Sequence, residues 1–375
     1  MRIICFIDYL CQGGAQRQLT TLALFLKEMG HTVSFLTYHE HDFFLPVLKE
    51  ARIEVNCLRS ENKLRRILGI RDALRAAKPN AVLAFLEGPC FYAELAGFPV
   101  RDWGLVVSER LQITPRKLVP DWKRFCHRLA DYVTANSHAN RLLLEAMQPS
   151  LTGKIATIYN CLDLSLFKPD ESAPRNQSAV RLVVAASYQE RKNAIGLIKA
   201  VSLARRKTPQ VRITVDWYGG IPFYLNGAPD KRYLEEAQKT IAEMGLTEDF
   251  RLHPAERDII PQFQAADAVV LPSFLEGLPN TICEGMACGC PILASNIGDA
   301  DILVQEGQNG FLFDPSSIES MAQAITSLAQ SPMVTRLAMG RESRRRAETL
   351  FSPSRVARSY ETLLLAAAEK RKRSI

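Results

Sequence analysis

Short apolar, β-rich runs alternate with stretches of helical periodicity along almost the whole chain. Residues 3–7 read as a buried strand, and 15–29 as a helix with Leu19, Leu22, Leu26 and Met29 on one face, stopped by Gly30. Strands are expected over 32–37, 81–85, 105–107, 132–135 and 155–158, with helices around 64–77 and 140–147. From 160 to 179 the pattern stops in a polar stretch with two prolines, a candidate linker. A second cycle then gives strands over 182–186, 212–217, 268–271 and 291–294 and helices over 194–206, 233–244, 281–287, 319–329 and 335–350. Residues 351–368 form a last helix, free to pack elsewhere, including back on the first half. Such alternation predicts the α/β class, two doubly wound parallel sheets covered by helices on both faces. The expected domains are 1–165, 166–350 and a C-terminal helix with a basic tail over 351–375.

Length and composition agree with two globular cores: 375 residues, 47% hydrophobic and 23% charged. The nine cysteines are odd in number and form no metal-binding spacing, which suggests a reducing compartment without disulfides. MRIICFIDYL is too short an apolar run for a signal peptide, and no window is long enough to cross a membrane. A cytoplasmic protein is expected. The +7 formal charge is uneven, with 14 Lys/Arg against 7 Asp/Glu between 59 and 128. Such a patch fits either an anionic surface or a solvated helix face. Arg116, Lys117, Lys123, Arg124 and Arg128 with Leu118, Val119, Trp122 and Phe125 suggest an amphipathic surface helix for an anionic membrane, interrupted by Pro120. Core packing is the alternative for Trp122. Lys370–Arg373 reads as a frayed tail.

The densest chemistry lies in PSFLEGLPNTICEGMACGCPILAS, residues 272–295, directly after a buried strand. In doubly wound sheets ligands bind beyond the carboxyl ends of strands, and two such domains leave a cleft between them. Glu276 sits in the strand-to-helix loop, and Gly277, Leu278 and Pro279 shape the turn. Asn280 and Thr281 are candidate caps of the next helix, whose N-terminal amides suit an anion. Glu284 falls on its first or second turn, where a carboxylate accepts two hydroxyls of a ribose.

The E-x7-E spacing with G-L-P-N between and E-G-M-A-C-G-C-P after it resembles the donor-site signature of the retaining glycosyltransferases of family 4. Cys11–Gln16 resembles that family's G-G-A-E loop, with Gly13, Gly14 and Gln16 at the matching positions. Thr157–Asp163 with Phe167–Pro169 resembles the opening of its second domain, and Ile297–Phe311 its segment after the donor helix. The resemblance implies the GT-B fold, with two facing Rossmann-like domains. It implies that Glu276 contacts the donor sugar, that Glu284 holds the ribose, and that Lys192 neutralises the diphosphate. Ser187 stands where the family has Arg, and Arg191 is the candidate substitute. Pro254 replaces a Gly near the base-contacting strand. Glu109 and Arg110, in an S-E-R triplet after a strand, either line the acceptor cleft or form a structural salt bridge.

The chain lacks G-x-G-x-x-G, a P-loop and G-x-S-x-G. Asp299-Ala300-Asp301 spells D-x-D but follows the donor helix, and no His/Cys/carboxylate group has metal spacing. His31, His39, His41, His127, His138 and His253 read as surface or core residues. The expectation is a retaining, metal-independent transferase without a resident cofactor. It would take a nucleotide-sugar donor and a glycan or lipid-linked glycan acceptor, with an anionic membrane as further partner and no nucleic acid. A nucleotide-sugar epimerase of similar fold, or a non-catalytic anion-binding module, are the alternatives.

Overall fold

The structure is a computed structural model that describes residues 1–60, 62–110, 122–172, 179–222 and 228–373. The chain divides into two compact units: Met1–Cys161 with Phe351–Ile375, and Leu162–Leu350.

The first unit is built on seven parallel strands: β1 (Arg2–Phe6), β2 (Thr32–Thr37), β3 (Glu54–Cys57), β4 (Ala81–Phe85), β5 (Gly104–Glu109), β6 (Tyr132–Ala135) and β7 (Ile155–Thr157). Their order is β3-β2-β1-β4-β5-β6-β7, so the winding reverses between β1 and β4. Helices α1 (Gly14–Glu28), α2 (Leu45–Glu50), α3 (Lys63–Ala77), α4 (Glu87–Ala96), α5 (Trp122–Phe125) and α6 (His138–Met147) connect them. β4 and β5 are buried along their whole length, which is why they read as unbroken apolar runs. Alternate residues feed two cores: Ile3, Cys5 and Ile7 enter one, Ile4 and Phe6 the other.

The second unit has six parallel strands: β8 (Ala179–Ala185), β9 (Arg212–Gly219), β10 (Phe250–Pro254), β11 (Ala268–Leu271), β12 (Ile292–Ser295) and β13 (Gly310–Phe313). The order β10-β9-β8-β11-β12-β13 puts the reversal between β8 and β11. Its helices are α7 (Ala194–Lys207), α8 (Arg232–Glu243), α9 (Ile260–Gln264), α10 (Asn280–Ala287), α11 (Ala300–Leu303), α12 (Ile318–Gln330) and α13 (Met333–Phe351). At Gly310 a Cβ would come within 1.9 Å of the Ile292 carbonyl oxygen, so the β12–β13 pairing requires glycine there.

The last helix, α14 (Pro353–Lys372), belongs to the first unit. Val356, Ala357, Tyr360, Leu364 and Ala367 bury into the core formed by Ile3, Leu83 and Val106. Tyr360 Oη stands 3.3 Å from Ser108 Oγ and 3.4 Å from Thr134 Oγ1. The basic end is not frayed: helix continues to Lys372, and Arg371 pairs with the buried Asp131, which also accepts from Arg101 Nη2 (2.9 Å) and Leu105 N (2.8 Å). The described ends of the expected linker are also tied down. Gln18 Nε2 donates to Cys161 O (2.7 Å), Cys161 N donates back to Gln18 Oε1 (2.7 Å), and Phe167 is buried in the second unit. Residues 116–120 of the expected surface helix lie outside the described residues, which resume with the four-residue α5.

Candidate donor site

The loops after β8 and β11 flank the switch point of the second sheet, and both are pinned. After β8, Tyr188 is buried and stacks on Trp217 (6.2 Å, 23°), with its hydroxyl 2.6 Å from His253 O and 3.0 Å from Trp217 O. Glu190–Lys192 makes a 3-10 turn, and Asn193 closes it in the left-handed region (φ 58°). That conformation lets Asn193 Oδ1 cap α7 by accepting from Gly196 N (3.2 Å), while Nδ2 donates to Pro315 O (2.9 Å). The two loops are joined where Phe274 N donates to Arg191 O (2.9 Å).

On this frame Lys192 Nζ donates to Glu276 Oε1, forming an ion pair whose side chains are 13% and 12% exposed. Gly298 (φ 58°) packs beneath, where a Cβ would lie 3.3 Å from Glu276 O and 3.4 Å from Gly277 O. Leu278 is buried and Pro279 occupies the N-cap of α10. Neither Asn280 nor Thr281 caps that helix: both lie inside it, and Pro279 offers no side-chain acceptor. Thr281 Oγ1 instead donates to Ala185 O (2.8 Å), fastening the helix start to the end of β8. Glu284 stands half-buried on the second turn. Burial first, and then the Glu284 charge, push the neighbouring Cys288 thiol up to about 12. Arg191 is exposed, with Nε donating to Gln189 Oε1 (2.9 Å). Its side chain is thus held along its own loop.

Ser187 lines a cavity of ≈ 270 Å³ with Tyr218, Gly219, Gly220, Glu256 and Ile259 at the ends of β8, β9 and β10. Tyr218 is stacked on His253 (4.5 Å, 12°), whose Nε2 bonds Asp216 Oδ1 (2.8 Å). Sequence reasoning missed Tyr218 and Glu256, since no spacing ties them to the Glu276 segment. Asp299 is buried, and no three-residue His/Cys/Asp/Glu group among the described residues is arranged to hold a metal.

In the first unit, Gly13 is the extended N-cap of α1, which begins at Gly14. Gln16 is 5% exposed and reaches Asp8 Oδ1 through Nε2 (3.4 Å). Burial raises the Asp8 carboxyl above its ordinary range, although hydrogen bonds from Tyr9 N and Gln16 oppose it.

Glu109 takes the structural alternative, while Arg110 is half-buried and forms no ion pair among the described residues. Glu109 is 0% exposed, bonded to His127 Nε2 (3.1 Å) with Arg124 Nε at 3.4 Å. A carboxylate so enclosed has no surface for an acceptor. Arg110 lies over Phe85 (4.7 Å) and donates to Tyr360 Oη (3.2 Å) and to Asn160 Oδ1.

Two doubly wound parallel units of this kind are those of the GT-B glycosyltransferases. The profile described as "Glycosyl transferases group 1" matches residues 168–346, and that described as "Glycosyltransferase Family 4" matches residues 12–166. The chain belongs to this family. It is similar to the D-inositol 3-phosphate glycosyltransferase of Corynebacterium glutamicum, 30% identical over 268 residues, covering 68% of this chain and 60% of that protein. The same-named protein of Streptomyces avermitilis is 27% identical, covering 58% of this chain and 48% of its own. The match therefore spans about half the length of these curated relatives. The fold is shared with HepE of Anabaena, solved in complex with UDP (TM-score 0.82, 20% identity, 98% and 100% covered). It is also shared with a glycosyltransferase of Rickettsia africae (TM-score 0.80, 17% identity, 98% of both chains covered).

Proposed function

We propose that this protein transfers a sugar from a nucleotide-sugar donor to a glycan or lipid-linked glycan acceptor, with retention of anomeric configuration. The observation that carries the reading is the Lys192–Glu276 ion pair at the switch point, beside the N-terminus of α10. An ammonium and the N-terminus of a helix together suit a diphosphate. As the glycosidic bond breaks, negative charge grows on the leaving diphosphate, and a cation already fixed there stabilises the transition state more than the ground state. Binding of the donor draws Lys192 onto the phosphates and releases Glu276 to accept from sugar hydroxyls. Glu284 takes the ribose diol, and the cavity lined by Ser187 and Tyr218 receives the base. Lys192 and α10 supply the compensating charge, so transfer needs no added metal.

The acceptor is assigned to the first unit, near Gly13, Gly14 and Gln16. An anionic membrane surface is a further partner in this reading. On α3, Leu64 (73% exposed) and Leu68 (57% exposed) share a face, flanked by Lys63 and Arg65.

A melting-temperature panel of UDP-, GDP- and ADP-sugars tests the donor assignment, since a ligand that binds only the folded state raises stability by mass action. At least one nucleotide sugar is expected to raise the transition, and Lys192→Ala to abolish that rise. If no nucleotide sugar shifts the wild type, the reading fails.

A further inference from the structure

A cavity of ≈ 510 Å³ opens at the carboxyl ends of β1, β2 and β3 in the first unit. Its volume falls within the roughly 300–1,000 Å³ of small-molecule sites. Leu10, Leu45 and Val55 give it an apolar floor. Thr37 also lines it.

The rim carries His39, Glu40, His41 and Asp42 in succession. The Tyr9 ring lies 6.3 Å from both imidazoles, giving this segment an aromatic backing. Among the described residues no Lys or Arg lines the cavity. The nearest cation in the rim's bonding is Arg59, paired with Glu40 in a solvent-exposed salt bridge. The Asp42 side chain is 94% exposed, with Oδ1 3.9 Å from His41 Nδ1. Carboxylates accept hydroxyl protons well and repel phosphate oxygens, while apolar floors suit the C–H face of a pyranose.

We propose that this cavity seats an uncharged saccharide unit of the acceptor and discriminates against its phosphorylated counterpart. The inference rests on the transferase reading and adds the acceptor's chemical class. It sets this site apart from recognition of a sugar or polyol phosphate, which a lysine or arginine fork among the lining groups would favour.

Cys57 lines the same cavity and is exposed, so its alkylation reports occupancy. The experiment measures iodoacetamide labelling of Cys57 in the full chain by peptide mass spectrometry, with Cys126 as internal reference. The probes are methyl α-D-glucopyranoside, methyl α-D-mannopyranoside and N-acetyl-D-glucosamine, each compared with its 6-phosphate. At about three times its dissociation constant, a neutral probe should slow Cys57 labelling about fourfold by mass action. The 6-phosphates should leave the rate unchanged. Asp42→Lys, at an exposed position that does not threaten folding, should let a 6-phosphate protect. Wild-type protection by the phosphates equal to that by the neutral sugars, or none by any neutral probe, overturns the proposal. The melting shift with nucleotide sugars, run on the same sample, separates the failures. Donor binding without Cys57 protection sinks only this inference, whereas loss of donor binding sinks the transferase reading as well.

Discussion

Lys192 and Glu276 are 84 residues apart in sequence, yet the lysine ammonium donates to the glutamate carboxylate where the winding of the second sheet reverses. Each side chain holds the other. Removing either is expected to lower kcat/KM by about 10²–10³, the scale for losing one preorganised electrostatic contact. Lys192→Ala combined with Glu276→Ala should cost much less than the product of the single losses, because the groups act as a unit. Steady-state kinetics with both substrates varied decides it. Single variants within twofold of wild type would remove both residues from the mechanism.

Much of the fold was readable because parallel strands buried on both faces are unbroken apolar runs. Residues 81–85 and 268–271 were placed without error for that reason. β3 was not readable, since Glu54–Cys57 is an edge strand with its first, third and fourth residues exposed, leaving no apolar signal. The loops that carry Lys192 and Glu276 stood out through motif spacing. What stayed hidden was the partner of each charge. Glu109 stayed undecided between an acceptor cleft and a structural salt bridge because its partner His127 lies 18 residues away, and His127 meets Glu94 across 33. Arg371 looked like tail because Asp131 is 240 residues distant.

His127 sits between two buried carboxylates, with Nδ1 2.7 Å from Glu94 Oε1 and Nε2 3.1 Å from Glu109 Oε1. Burial alone would lower its pKa. The Glu94 charge and the hydrogen bonds to Glu109 and Glu94 outweigh that and raise it from 6.5 to about 10. A pKa raised on folding contributes stability that is complete below 6.5 and lost as pH climbs towards about 10. His127→Gln should destabilise the protein by about 3–5 kcal/mol near neutrality, the range for breaking a buried pair by removing one partner. The gap in melting temperature between wild type and variant should narrow from pH 6.5 to 10. A gap that stays constant would show that the imidazole is neutral in the folded state.

Gly104 meets α14 where a Cβ would lie 2.5 Å from the Ala367 carbonyl carbon and 2.6 Å from Ala368 N. Both are helix backbone atoms and cannot rotate away. Gly104→Ala should therefore push α14 off β5 and destabilise the protein by about 1–3 kcal/mol, as overpacking does. Urea unfolding measures it. A loss below about 0.5 kcal/mol, ordinary for surface changes, would mean that α14 is not held there.

The exposed Leu64–Leu68 face of α3 gives the membrane assignment a direct check. Wild-type protein should co-sediment with phosphatidylglycerol vesicles at low salt and release as salt rises, since Lys63 and Arg65 act through screened charge. Leu64→Asp with Leu68→Asp should abolish binding without lowering the melting temperature, because both side chains already face solvent. Equal binding of wild type and double variant would move the docking surface elsewhere.

The C-terminal end of α10 has its own anchor. Arg344 on α13 donates through Nη1 to Ala287 O (2.8 Å) and Phe167 O (2.6 Å), and through Nη2 to Leu164 O (3.2 Å), while Nε pairs with Glu348 (2.7 Å). Thr281 fixes the other end of α10 to β8, so the helix that carries Glu284 is held at both ends. Losing the guanidinium leaves up to three carbonyls without their donor, each costing about 1 kcal/mol or more where water cannot reach. Arg344→Gln should raise the donor KM severalfold with acceptor KM little changed, because the disturbance reaches Glu284 and not the first unit. Arg344→Lys, keeping the charge and one or two donors, should recover part of the loss. An equal rise in both KM values, or no rescue by lysine, would identify Arg344 as a general fold support and not a determinant of donor binding.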